Sequence, residues 1–119
     1  MILTVTGGRN VCGAIWRIKI WAELDSWPIA LLRHGGARGF DTICAQWAAA
    51  RGISCQAYAA DWAANGPAAG PIRNQRMIEA VPRADMLLAG PGGPGTTDCV
   101  RKARNVGIPI HQPWEGLSI

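Results

Sequence analysis

Three short stretches set paired glycines beside groups that can bind or move charge: Gly7-Gly8-Arg9, Gly35-Gly36-Ala37-Arg38-Gly39-Phe40-Asp41 and Gly92-Gly93-Pro94-Gly95-Thr96-Thr97-Asp98. Glycine lets backbone N–H groups come close to a ligand. A helix that opens directly after such a turn adds unpaired amides and the positive end of its dipole. That chemistry suits an anion, phosphate above all. A fourth stretch, Pro71-Ile72-Arg73-Asn74-Gln75-Arg76-Met77, puts Arg73 and Arg76 on one face in the opening turns of a further helix. Cations there oppose the dipole unless an anion lies near, and the Arg fork matches phosphate geometry. The candidate ligand contacts are Gly7, Gly8, Arg9, Gly35, Gly36, Arg38, Gly39, Asp41, Arg73, Asn74, Arg76, Gly92, Gly93, Gly95, Thr96 and Thr97. Thr96 is expected to cap the last helix and Asp98 to stand in its first turn. There Asp98 either faces away or accepts hydrogen bonds from ribose hydroxyls beside the phosphate.

These turns need elements to hold them. Ile2-Leu3-Thr4-Val5-Thr6 reads as a buried strand, residues 14–27 as a helix with Ala14, Ile18, Trp21 and Leu24 on its apolar face, and 29–34 as a second strand. A helix over 40–52, a strand over 53–59, a loop over 61–70, a helix from Pro71, a strand over 84–90, a helix over 96–107 and a short strand over 108–112 follow. Strand and helix alternate throughout. The fold class is therefore α/β: a doubly wound, mostly parallel five-stranded Rossmann-like sheet with helices on both faces, within one domain over 1–119. In such a sheet every strand-to-helix turn lies on the carboxyl edge, where ligands bind. The glycine clusters occupy three of those turns, whereas the opposite turns carry only Gly52 and Gly107.

Composition narrows the partners. Ten Arg and two Lys oppose eight acids, for a net charge of +4, and an Arg-rich basic chain leans toward anionic ligands. Cys12, Cys44, Cys55 and Cys99 form no metal-binding spacing with His34 or His111, so no metal is expected. Cys99 reads either as a small core residue or as a helix-start thiol of lowered pKa. Neither a secretory leader nor a membrane-length apolar run is visible, and a cytoplasmic chain with reduced thiols is expected. Trp16 and Ile20 widen the first helix's apolar face, which points to a homodimer or larger homo-oligomer.

The motifs Thr6-Gly7-Gly8-Arg9, His34 to Asp41, Ala69-Gly70-Pro71-Ile72-Arg73-Asn74-Gln75-Arg76-Met77 and Pro91 to Thr96 together resemble the small Rossmann-like family related to YspA and YpsA. The likeness runs over about residues 2–112, in the superfamily of the Lonely Guy phosphoribohydrolases and DprA. It implies a nucleotide-type pocket lined by Gly8, Arg9, Gly36, Arg38, Gly39, Asp41, Arg73, Asn74, Gly92, Gly93, Gly95 and Thr96. The Lonely Guy enzymes carry R-K-x-x-M and P-G-G-x-G-T-x-x-E. This chain keeps Arg73 and Met77 but has Asn74 for Lys, and Cys99 stands where their Glu belongs. Asp98 lies one residue earlier, turned by about 100° on a helix.

Three functions follow as expectations. The first is a binding or sensor module for a nucleotide or nucleotide-derived phosphorylated ligand, needing no cofactor. The second is a phosphoribohydrolase that cleaves the N-glycosidic bond of a nucleoside 5′-monophosphate. Arg73 would grip the substrate, and Asp98 or Asp41 would steady the ribose cation. The third, suggested by DprA, is single-stranded nucleic-acid binding through Arg and Trp. Against it, Trp21 and Trp47 fall at helical core spacing.

Overall fold

The computed structural model describes residues 1–117. Strands β1 (Ile2–Thr6), β2 (Leu31–His34), β3 (Ser54–Ala57), β4 (Met86–Ala89) and β5 (Ile110–His111) form one sheet in the order β3-β2-β1-β4-β5. All four pairings are parallel, with Ile2 opposite Leu31 and Leu3 opposite Met86. The order steps outward from β1 to β2 and β3, then reverses to β4 and β5. The switch point thus lies between β1 and β4, and the turns after these strands meet there.

Helices cover both faces, as a parallel sheet requires. Helices α1 (Ala14–Asp25) and α2 (Phe40–Arg51) bury Ile20, Leu24, Phe40, Ile43 and Trp47 against Leu3, Val5, Leu32 and Leu88. On the other face, α4 (Ala69–Glu79) and α5 (Pro94–Asn105) bury Met77, Ile78, Cys99 and Ala103 against Leu87 and Ala89. Between β3 and α4, where a plain loop was expected, the chain makes a short helix α3 (Trp62–Asn65) and a 3-10 turn (Gly66–Ala68). The side chain of Asp61 accepts the Ala64 amide at 3.0 Å and so caps α3, a local bond that composition does not reveal.

Other expectations shift for physical reasons. The buried side of α1 is Ile20 and Leu24; Ile18 is 69% exposed, so the face anchored on Ala14 and Ile18 points outward. Trp16 turns inward, with its ring edge-on to Trp114 at 6.0 Å, and Ile20 is fully buried. Ile20 is therefore core, and Trp16 is partly buried against it. The four residues of β3 are all exposed because this strand lies on the sheet's edge. Among the described residues no helix is long and apolar enough to cross a membrane.

Candidate functional site

The glycine turns after β1, β2 and β4 converge and are bonded to one another. Gly8 is the link: its amide donates to the Pro91 carbonyl at 2.7 Å, and its carbonyl accepts the Phe40 amide at 3.1 Å, fixing the start of α2. The Gly90 amide donates to the Thr6 carbonyl at 2.8 Å. Phe40, fully buried, is wedged beneath, and a Cβ at Gly7 or at Gly90 would run into its ring. Gly39 has φ +76, and a Cβ there would strike the Gly8 carbonyl. A Cβ at Gly92 would meet Thr96. These glycines exist so that turns can touch turns.

Gly93 and Gly95 differ, for a Cβ at either would meet nothing within 4 Å. Helix α5 starts at Pro94, two residues earlier than expected, with Gly93 at its N-cap and no side-chain cap. Thr96 is therefore inside the first turn rather than capping it. The amides of Gly95 and Thr96 lie too early in the helix for an intrahelical acceptor, and among the described residues they have no other backbone partner. The Thr97 hydroxyl is turned back to the Gly93 carbonyl at 3.2 Å. The open amides face a cavity of about 520 Å³, within the range of small-molecule pockets.

Of the residues expected to bind ligand, the fold brings Gly7, Gly8, Arg9, Gly35, Asp41, Arg73, Asn74, Gly93, Gly95 and Thr96 to this cavity, and Asp98 with them. Gly36, Arg38, Gly39, Arg76, Gly92 and Thr97 do not line it. The Gly36 amide is bound to His34 Nδ1 at 2.9 Å, and Arg38 is exposed. Arg76 lies in the last turn of α4, with its guanidinium 6.0 Å from the Tyr58 ring centre, so it does not share the role of Arg73. Because α4 starts at Ala69, Arg73 lies in its second turn.

Two carboxyls reach the cavity in opposite states. Asp98 is in the second turn of α5, not the first. Its Oδ2 accepts from Asn74 Nδ2 at 3.0 Å and from Lys102 Nζ at 2.9 Å, and its Oδ1 accepts from Arg101 at 2.6 Å. Burial pushes this carboxyl up, but the Lys102 and Asn74 hydrogen bonds, the Lys102 charge and Arg101 outweigh it and hold it below its ordinary value. Asp98 is a strut between α4 and α5. Asp41, only 4% exposed, is the reverse case. Its Oδ2 accepts the Gly35 and Ala37 amides at 3.0 and 3.3 Å, while its Oδ1 is buried without a partner. Burial pushes its carboxyl up to about 6, against opposing pulls from the Ala37 amide, the Arg73 charge and the Gly35 amide. A buried acceptor with no donor is uncommon, and Asp41 is among the residues that line the cavity.

Arg73 links the two regions. Its Nη1 donates to the Gly35 carbonyl and its Nε to Asn74 Oδ1 at 3.0 Å; Asn74 Nδ2 in turn reaches the Gly95 carbonyl at 3.1 Å. One hydrogen-bonded chain thus runs from the turn after β2 through α4 to the start of α5. Cys99 is fully buried and its thiol is pushed up to about 11, chiefly by burial, which removes the reading of a reactive helix-start thiol. Trp47 is core and donates to Asp25 at 2.8 Å. The Trp21 ring has the Arg17 and Arg51 guanidiniums at 4.5 and 5.2 Å. Trp62 and Pro67, which no glycine or charge pattern singled out, also line the cavity.

A model of the YAcAr family, described as the YspA, cpYpsA-related SLOG family, matches residues 1–64, a span that holds the first two glycine turns and Asp41. The chain is 37% identical over 120 residues to the Gene 61 protein of Mycobacterium phage D29, covering 89% of this chain and 90% of that protein. No solved structure matches. With its parallel switch-point sheet, its convergent glycine turns and these likenesses, the chain belongs to the YspA, cpYpsA-related SLOG family.

Proposed function

We propose that this chain is a binding module for a nucleotide or nucleotide-derived phosphorylated ligand, held in the cavity at the carboxyl edge of the sheet. One observation carries the reading: Gly95 and Thr96, whose amides are open at the start of α5, line one cavity with Arg9, Arg73 and Asp41. The amides and cations suit a phosphate. Asp41, which lines the cavity, is the acid offered to a ribose hydroxyl in place of Asp98, whose oxygens are occupied by ion pairs. Membership of the YspA, cpYpsA-related SLOG family is consistent with a nucleotide-related role. Thermal-shift screening with mononucleotides, dinucleotides, cyclic nucleotides and sugar phosphates tests it. A ligand at a hundred times its Kd adds about 2.7 kcal/mol of stability, and no stabilisation by any phosphorylated compound refutes the reading.

The same Asp41 gives a second reading its footing. A cavity carboxyl with pKa near 6 suits acid, base or cation-stabilising work on an N-glycosidic bond. Cys99, at the position of the Lonely Guy Glu, is buried and cannot do that work. Under this reading the protein releases free base from a nucleoside 5′-monophosphate, Asp41→Asn stops it, and Asp98→Asn leaves most of it. Absence of base release from every monophosphate removes the enzyme and leaves the binding module.

A further inference from the structure

We propose that Trp62 is the platform on which the flat ring of a base-bearing ligand stacks, so that the cavity selects nucleotides over base-free sugar phosphates. The inference rests on the nucleotide reading above and adds to it the group that recognises the base.

Trp62 is 48% exposed and lines the cavity. An indole that adds little to the core needs another reason for its position. The chain fixes that position with care. Helix α3 has four residues, too few to persist alone, and the Asp61 cap holds it in place. Gly70, buried at the start of α4, receives the indole edge: a Cβ there would lie 3.3 Å from Trp62 Cη2. An alanine at 70 would shift the ring by a few tenths of an ångström. Pro67, Pro71 and Met77 line the same cavity with apolar surface, while Gly95 and Thr96 contribute amides. One cavity therefore holds both an apolar wall with an indole and a seat for an anion, the two needs of a nucleotide.

One face of the indole already receives a flat π-type group. The Arg9 guanidinium lies 5.5 Å from the ring centre, and a guanidinium over an aromatic face occupies the place a stacked base would take. Arg9 follows Gly8 in the turn bonded to Pro91. A base entering over Trp62 displaces the guanidinium, which remains within the cavity wall to face the ligand's phosphate.

The test is titration calorimetry of the whole chain with AMP, GMP, CMP, UMP and ribose 5-phosphate, on wild type, Trp62→Leu and Trp62→Phe. The expected result is that at least one monophosphate binds wild type about tenfold or more tighter than ribose 5-phosphate. Trp62→Leu abolishes that margin without changing ribose 5-phosphate binding, and Trp62→Phe keeps most of it. Unchanged ribose 5-phosphate binding also shows that Trp62→Leu is folded. If ribose 5-phosphate binds wild type as tightly as the best monophosphate, or if Trp62→Leu keeps the margin, the stacking role is wrong and the phosphate site stands. If none of the five probes binds wild type, the stacking role is wrong, and the nucleotide reading is decided by the wider thermal-shift screen.

Discussion

Replacing Asp41 by Asn is expected to make the protein more stable and its site worse. The ordinary carboxyl value is 3.8 and burial moves Asp41 to about 6. At about 1.4 kcal/mol per pKa unit, holding this group ionised in the fold costs about 3 kcal/mol. The sign follows from which state holds the proton. Between pH 4 and 6 the folded protein keeps a proton that the unfolded chain has released. The stabilisation from Asp41 is thus complete below about pH 4 and lost as pH rises through about 6. Asparagine has no charge to bury and retains a carbonyl oxygen for the Gly35 and Ala37 amides. At pH 7.5, Asp41→Asn should raise stability by roughly 1–3 kcal/mol, a Tm rise of roughly 5–10 °C for a chain of this size. At pH 4 the two proteins should be nearly equal. Affinity for the phosphorylated ligand found by screening should fall about tenfold or more, because a charged acceptor is lost. Urea unfolding from pH 4 to 8, followed by circular dichroism, measures the first effect, and calorimetry the second. A variant less stable than wild type by the same amount at every pH would show that Asp41 is not a penalised buried charge.

Other substitutions separate packing from binding. Gly95→Ala should leave stability unchanged or raise it by about 0.5–1 kcal/mol, since the position is helical and open, yet weaken ligand binding. Gly39→Ala should destabilise by more than about 2 kcal/mol in urea titrations, because φ is +76 and the Gly8 carbonyl blocks a Cβ. Phe40→Ala should cost about 3–5 kcal/mol by the same measurement, since the ring fills the space under Gly7 and Gly90. Asp98→Ala should cost about 1–2 kcal/mol, leaving Asn74 and Lys102 short of an acceptor, with little change in ligand affinity by calorimetry. Iodoacetamide should label Cys12 and Cys55 in the folded protein and reach Cys44 and Cys99 only on unfolding, which mass spectrometry reads directly.

Alternation of strand and helix is enough to read the parallel architecture, because a parallel pair needs a crossover and this chain offers a helix between every pair of successive strands. It does not reveal α3, since a four-residue helix has no period to detect. The inward face of α1 was misread for a related reason. Ile15, Trp16, Ile18, Ile20 and Trp21 surround the helix with apolar residues, so periodicity alone cannot choose a side. The choice is made by tertiary partners, Trp114 for Trp16 and the Ile43 carbonyl for the Trp21 Nε1 at 3.2 Å.

At the site, glycine content located the edge but overstated the number of anion contacts. Close packing of turns and open amides demand the same residue, and a sequence cannot separate them. Gly7 and Gly90 answer to Phe40, Gly39 answers to the Gly8 carbonyl, and in the turn after β4 Gly93 and Gly95 stand before open space. The acids show the same ambiguity. Asp98 looked the more available because it sits beside the glycines, but residues one helical turn further on, Arg101 and Lys102, neutralise it. Asp41 lacks any such neighbour on α2, and its helix turns it under the Gly35 loop. The carboxyl left with an unpartnered oxygen is the one whose own helix places no cation one turn away. That asymmetry makes Asp41, rather than Asp98, the acid whose removal should divide stability from binding.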